Sequence, residues 1–177
     1  MSWSRQFCLV LLLAAGLAGC GFKPLYRQDG PGATAPQFAQ ISITQPEDRV
    51  SQQLRNHLLD MITPQGTPER PAYILDYRIT ETVGSVFVTR SDEITRNNLQ
   101  ITVATNLRNY ETGRPITSFS VTSQASYNLT VADYSNLISE KNARERALRD
   151  AAEQIRIRLA NYFGRGQFTT PATPRVP

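Results

Sequence analysis

Cysteine, histidine and lysine are almost missing from this chain. Its 177 residues hold 2 cysteines, Cys8 and Cys20, and 1 histidine, His57. Lysine occurs only at Lys23 and Lys141, so arginine carries nearly all the positive charge. One histidine and so little cysteine exclude the usual zinc ligand sets, and the acidic residues do not fall in a calcium-loop spacing. No glycine-rich phosphate loop is present: Gly30-Pro31-Gly32 has no strand before it and no helix after it. No Gly-x-Ser-x-Gly elbow surrounds any serine. Counting alone leaves a Ser-His-Asp arrangement open. His57, however, lies seven residues after Val50 on the buried side of a helical pattern, where it reads as a packed histidine at the edge of a core. There is no basic block or nucleic-acid motif. The composition points to a protein without catalysis, metal or cofactor.

Long apolar runs are also scarce, and the one present is at the start. Phe7 to Leu17 is apolar, follows Arg5, and ends in Leu17-Ala18-Gly19-Cys20. A basic start, a short apolar middle and a small-residue cleavage site make an export signal. The run falls short of the ~20 apolar residues of a permanent membrane span. Leu-Ala-Gly-Cys resembles the lipobox of bacterial lipoproteins. The resemblance implies cleavage before Cys20, a diacylglycerol on its sulfur and acylation of the new amino terminus. One acyl chain anchors weakly, whereas three, at ~0.8 kcal/mol per buried CH2, hold a protein at a membrane. Gly21, not Asp, follows Cys20, which by the same resemblance implies sorting to the outer membrane, on its periplasmic side. With Cys8 removed and Cys20 lipidated, no disulfide can form, so stability must come from a packed core. Loss of Arg5 with the leader brings the formal charge from +4 to about +3, too small an excess to identify a partner.

The expected organisation is a signal peptide over 1–19, a tether over 20–37 rich in Gly, Pro and Gln, a folded unit over 38–164, and a disordered tail over 165–177 with three prolines. A short strand is expected from Phe38 to Thr44. Asp48 is placed to cap a helix whose stripe is Val50, Leu54, Leu58, Met61 and Ile62, ended by Pro64 and Gly66. Three alternating runs follow. Tyr73, Leu75, Tyr77 and Ile79 share a face, with Gly84 marking a bulge or bend further on. Leu99, Ile101, Val103, Thr105 and Leu107 share another. Phe119, Val121, Ala125, Tyr127, Leu129 and Val131 line the third. Glu111 to Pro115 reads as a hairpin turn. A long helix is expected from about Ile138 to Gly164, with Leu148, Ala151, Ala152, Ile155, Leu159, Tyr162 and Phe163 as its stripe. Glu140 with Arg144 and Glu145 with Arg149 are favourable pairs four residues apart. The order β-α-β-β-β-α predicts an α+β two-layer sandwich: a four-stranded, largely antiparallel sheet with two helices on one face. Asn128-Leu129-Thr130 matches a glycosylation sequon, which in a bacterial lipoprotein reads as chance.

The other sheet face would carry Ser, Thr, Asn, Gln and Arg, with nothing in the chain to cover it. Arg78, Arg90, Arg96 and Arg108 belong to that surface or to the turn at Ser91-Asp92-Glu93. Arginines on a β-surface can meet phosphate through paired hydrogen bonds.

Cys20-Gly21-Phe22-Lys23-Pro24-Leu25-Tyr26 after a lipobox, with this element order and a final helix rich in Arg, Glu and Ala, resembles the LptE family of lipopolysaccharide (LPS)-assembly lipoproteins. The resemblance covers the mature chain up to its tail. It implies an outer-membrane subunit that plugs the LptD β-barrel, assists its assembly and binds LPS. It transfers one functional residue, the lipidation site Cys20. Two other readings are an auxiliary lipoprotein of an ABC-type lipid transporter, against which Phe22-Lys23-Pro24 argues, and a lipoprotein hydrolase, which would need His57 bonded to a serine in a cleft.

Overall fold

A computed structural model describes residues 35–87 and 94–166. Cys20 and Arg90 lie outside the described residues, as do the expected tether up to residue 34 and the expected tail from residue 167; residues 35–37 and 165–166, assigned to them from sequence, are helical. The elements are α1 (Ala35–Phe38), β1 (Ile41–Ile43), α2 (Arg49–Ile62), β2 (Tyr73–Phe87), β3 (Ile94–Asn109), β4 (Pro115–Asn128) and α3 (Asp133–Gly166). The sheet order is β1-β2-β3-β4, with β1 parallel to β2 and the other pairs antiparallel. The fold is α+β, with a mostly antiparallel four-stranded sheet as expected.

Alternation sets the layers. Leu99, Ile101, Val103, Thr105 and Leu107 are all buried, opposite Leu75 on β2 and Val121, Ala125 and Tyr127 on β4. The helices cover that side. Leu54, Leu58 and Ile62 of α2 and Leu148, Ala151, Ala152, Ile155 and Leu159 of α3 complete the core. Asp48 caps α2 by accepting the Ser51 N–H at 2.9 Å, a bond that stabilises a helix by about 1 kcal/mol. The turn between β3 and β4 places Gly113 at φ +66°, a left-handed backbone that favours glycine.

Several expected boundaries differ from the observed ones. Phe38 ends a helical turn rather than opening a strand, and β1 has only 3 residues. Its ring sits 6.1 Å from that of Phe163, a tertiary contact that outweighs its strand propensity. Gly84 pairs regularly with Asn98, and the register shift falls between Val86 and Phe87. β4 stops at Asn128, leaving Val131 fully exposed. α3 starts at Asp133 because Asn136 clamps the preceding loop, accepting the Thr130 N–H at 2.7 Å and donating to the Thr130 carbonyl at 2.8 Å. It continues through Gly164. Tyr162 points outward and is 39% exposed, while Phe163 beside it is buried.

The two long helices cover the sheet unequally. At 1.5 Å per residue the 34 residues of α3 span ~51 Å and the 14 of α2 only ~21 Å. β3, with 16 residues, runs ~53 Å. α3 therefore lies along the whole sheet, whereas α2 covers one end.

Candidate functional site

The uncovered sheet face is polar by construction. Every second residue of β3 from Arg96 to Arg108 points away from the helices, and apart from Ala104 all are polar: Arg96, Asn98, Gln100, Thr102, Asn106 and Arg108. These side chains bond across to β4. Asn98 donates to Gln124 at 3.3 Å, Gln124 to Gln100 at 2.9 Å, and Ser118 to Asn106 at 3.0 Å. The Thr102 and Thr122 hydroxyls stand 3.4 Å apart. The ladder orders the surface but leaves most donors and acceptors able to bond elsewhere.

Charge on this face is one-sided. Asp76 is its one carboxylate among the described residues, and it is held by the Arg108 guanidinium and by the Thr44 hydroxyl at 2.7 Å. Those bonds, Arg108 first, pull the Asp76 carboxyl below its ordinary range against the opposing effect of partial burial. Among the described residues Arg78 and Arg96 have no carboxylate partner on the face.

The four arginines singled out from sequence do not converge. Arg108 is taken by Asp76. Arg78 stands opposite Ala104. Arg96 is twelve residues from Arg108 on β3, ~40 Å away. Arg90 lies outside the described residues. Instead, Arg96 meets Arg146, which falls outside the apolar stripe of the last helix. Arg96 and Arg146, with Ser126, Asn128, Ser139 and Asn142, line a hollow of about 440 Å³ between the end of β4 and the first half of α3. Arg96 Nε donates to the Asn128 side-chain oxygen at 3.2 Å, and Arg146 donates to the Ser126 carbonyl at 3.2 Å. Each guanidinium has further N–H donors to offer. Among the described residues no carboxylate lines the hollow. Two arginines and two amides in one recess suit an anion with several oxygens, such as a phosphate. Both Arg96 and Arg146 fall on polar faces in sequence. Their meeting depends on how α3 crosses β4, which periodicity does not encode.

His57 is half-buried on α2 and bonds to no serine among the described residues. Among those residues no cluster of His, Cys, Asp or Glu could hold a metal, and no helix is long and apolar enough to cross a membrane.

Comparison with known proteins agrees with this architecture. The profile of a family described as LptE, lipopolysaccharide-assembly, matches residues 38–161. No curated protein matches the sequence significantly. Among solved structures, a lipoprotein from Caulobacter crescentus superposes with a TM-score of 0.63 at 23% identity, covering 78% of this chain and 98% of its own. A minor lipoprotein from Acinetobacter baumannii gives 0.58 at 19% identity over 71% and 92%. The rare lipoprotein B from Shewanella oneidensis gives 0.54 at 11% identity over 70% and 93%. At such identities these likenesses establish the fold.

Proposed function

The chain belongs to the LptE family of lipopolysaccharide-assembly lipoproteins, and from that premise we propose that it is the lipid-anchored subunit of an outer-membrane LPS translocon. In this reading Cys20 carries the lipid on the periplasmic side of the outer membrane, and the folded unit plugs the lumen of an LptD-type β-barrel and assists its assembly. The family is not enzymatic, and LPS assembly takes precedence over the transporter-accessory and hydrolase readings.

The uncovered polar sheet face carries the proposal. A surface of Ser, Thr, Asn and Gln would be costly to bury against an apolar partner. It suits the interior of an outer-membrane barrel, which is polar. The Arg96–Arg146 hollow adds a place for LPS itself. Phosphates on its lipid moiety fit two guanidinium groups, each charge-assisted bond contributing about 1.5–3 kcal/mol.

The test uses full-length protein and purified LPS. Replacing both arginines, Arg96→Ala with Arg146→Ala, is expected to weaken LPS binding by about tenfold or more. Arg78→Ala, remote from the hollow, leaves it unchanged. Equal affinity of the double variant and the parent contradicts the assignment of the hollow. Depletion of the protein in cells is expected to lower surface LPS, and normal export without it contradicts the translocon role.

A further inference from the structure

The two edges of the sheet are treated differently. On β4 the outward carbonyls of Thr122 and Ser126 accept from Gln154 at 3.3 Å and Arg146 at 3.2 Å. Those carbonyls are four residues apart on a strand, ~13 Å, and their donors eight apart on a helix, ~12 Å, so α3 runs in step with the edge and blunts it. On β2 the cover stops early. β1 pairs only with Tyr73, Ile74 and Leu75, and its last bond is from the Thr44 N–H to the Leu75 carbonyl at 3.1 Å. α2 reaches as far as the Tyr77 hydroxyl, which donates to the Ser51 carbonyl at 3.0 Å. From Arg78 onward nothing among the described residues lies on that edge.

We infer that the free edge of β2, from Arg78 to Ser85, receives an extended segment of a second polypeptide as an added strand. This goes beyond the translocon reading, since it assigns a binding mode and a surface that reading does not need. Tyr73 donates outward to the Gln40 carbonyl and Leu75 accepts from outside. By alternation, Ile79, Glu81 and Val83 also present their N–H and C=O outward, spaced to pair with a strand. The edge is preformed. Arg144 of α3 bonds Glu81 at 2.7 Å and Glu140 at 2.6 Å, bracing the unpaired half of β2 against the helix. Beside this brace, toward the β2–β3 connection, apolar side chains lie uncovered because α2 is too short to reach them: Val83 is 47% exposed, Leu137 63% and Tyr134 75%. An incoming strand would set its apolar side chains against these.

Its other side would meet Arg78. No carboxylate stands on the polar side of β2 beyond Asp76, which Arg108 occupies. The fitting partner is therefore an extended segment that is apolar on the α3 side and carries an acidic residue beside Arg78. A second copy of this chain fits poorly. Antiparallel pairing of β2 with itself about Glu81 sets Arg78 opposite Gly84 and Glu81 opposite Glu81, and like charges directly opposed destabilise a ladder.

Residue-resolved amide hydrogen exchange tests this on the full-length lipidated chain. It is measured in the detergent-extracted complex and in the same chain released from its partners. The N–H groups of Ile79, Glu81 and Val83 are expected to exchange about tenfold or more slowly in the complex, while Thr80 and Thr82, already bonded to β3, change little. Equal rates for Ile79, Glu81 and Val83 in both samples overturn the inference. So does protection in the released chain together with a dimeric mass, which would make the occupant a second copy. Val83→Pro deletes one outward N–H without touching the β3 ladder, a substitution an edge strand tolerates. It is expected to cut the amount of bound partner about tenfold while Val83→Thr does not; undiminished recovery with Val83→Pro also overturns the proposal. Protection by a polypeptide other than a barrel would sustain this inference and remove the plug reading, so the two fail separately.

Discussion

Asp76 ties three strands together, since it accepts from Thr44 just beyond β1 and from Arg108 of β3. Its carboxyl is held below 3.8, so the folded state favours the ionised form more than the unfolded chain does. The stabilisation is present above about pH 4 and is lost as pH falls through the lowered value. Thermal melts from pH 6 to pH 3 are expected to show a smaller acid-induced drop in Tm for Asp76→Asn than for the parent. Identical slopes would mean that the bridge does not couple to folding. Tyr77 responds at the other extreme. Burial raises its hydroxyl to about 12, so stability is full below its ordinary value near 10 and declines as pH rises between the two. Tyr77→Phe should flatten that alkaline decline and, by removing the bond to Ser51, lower stability at neutral pH by about 1 kcal/mol in urea unfolding. At this scale the sequence showed which arginines avoid the core. It did not show that Asp76 would claim Arg108, or that Arg96 and Arg146, fifty residues apart, would share a recess. Those are facts of register and helix crossing.

Among the elements, α3 depends most on its buried stripe. Ile155 is fully buried in the centre of the core, whereas Tyr162, placed on the same stripe by periodicity, lies at its margin, part exposed and edge-on to Phe163 at 5.5 Å. Ile155→Ala is expected to cost about 2–5 kcal/mol. Tyr162→Ala, which removes only the edge-on contact with Phe163, should cost about 0.5–1.5 kcal/mol. Denaturant titrations of both check the assignment, and comparable losses would contradict it. The three long strands were legible because alternation was clean: all five residues expected on the core side of β3 are buried. Boundaries were less so. The start of α3 depends on the Asn136–Thr130 clamp, and the short β1 depends on Phe38 packing against Phe163. Side-chain bonds and tertiary contacts decide such ends, and local pattern does not register them.

The whole molecule has a long axis with distinct ends. At one, the rings of Phe38 and Tyr73 close on Phe163. The Arg96–Arg146 hollow lies toward the other, with Arg146 seventeen residues before Phe163, ~25 Å along the helix. The rigid length of α3 thus separates the aromatic cluster at Phe163 from the proposed LPS site. In the proposed role a strand-rich unit of this shape would act by fit and hydrogen bonding. The proposed place inside a barrel is best tested by the mass of the intact assembly. Native mass spectrometry of the tagged, full-length protein extracted from outer membranes in mild detergent should show a triacylated chain bound one-to-one to a large β-barrel protein. A lipidated chain that flies alone, with no barrel at any detergent or salt condition, would contradict the account.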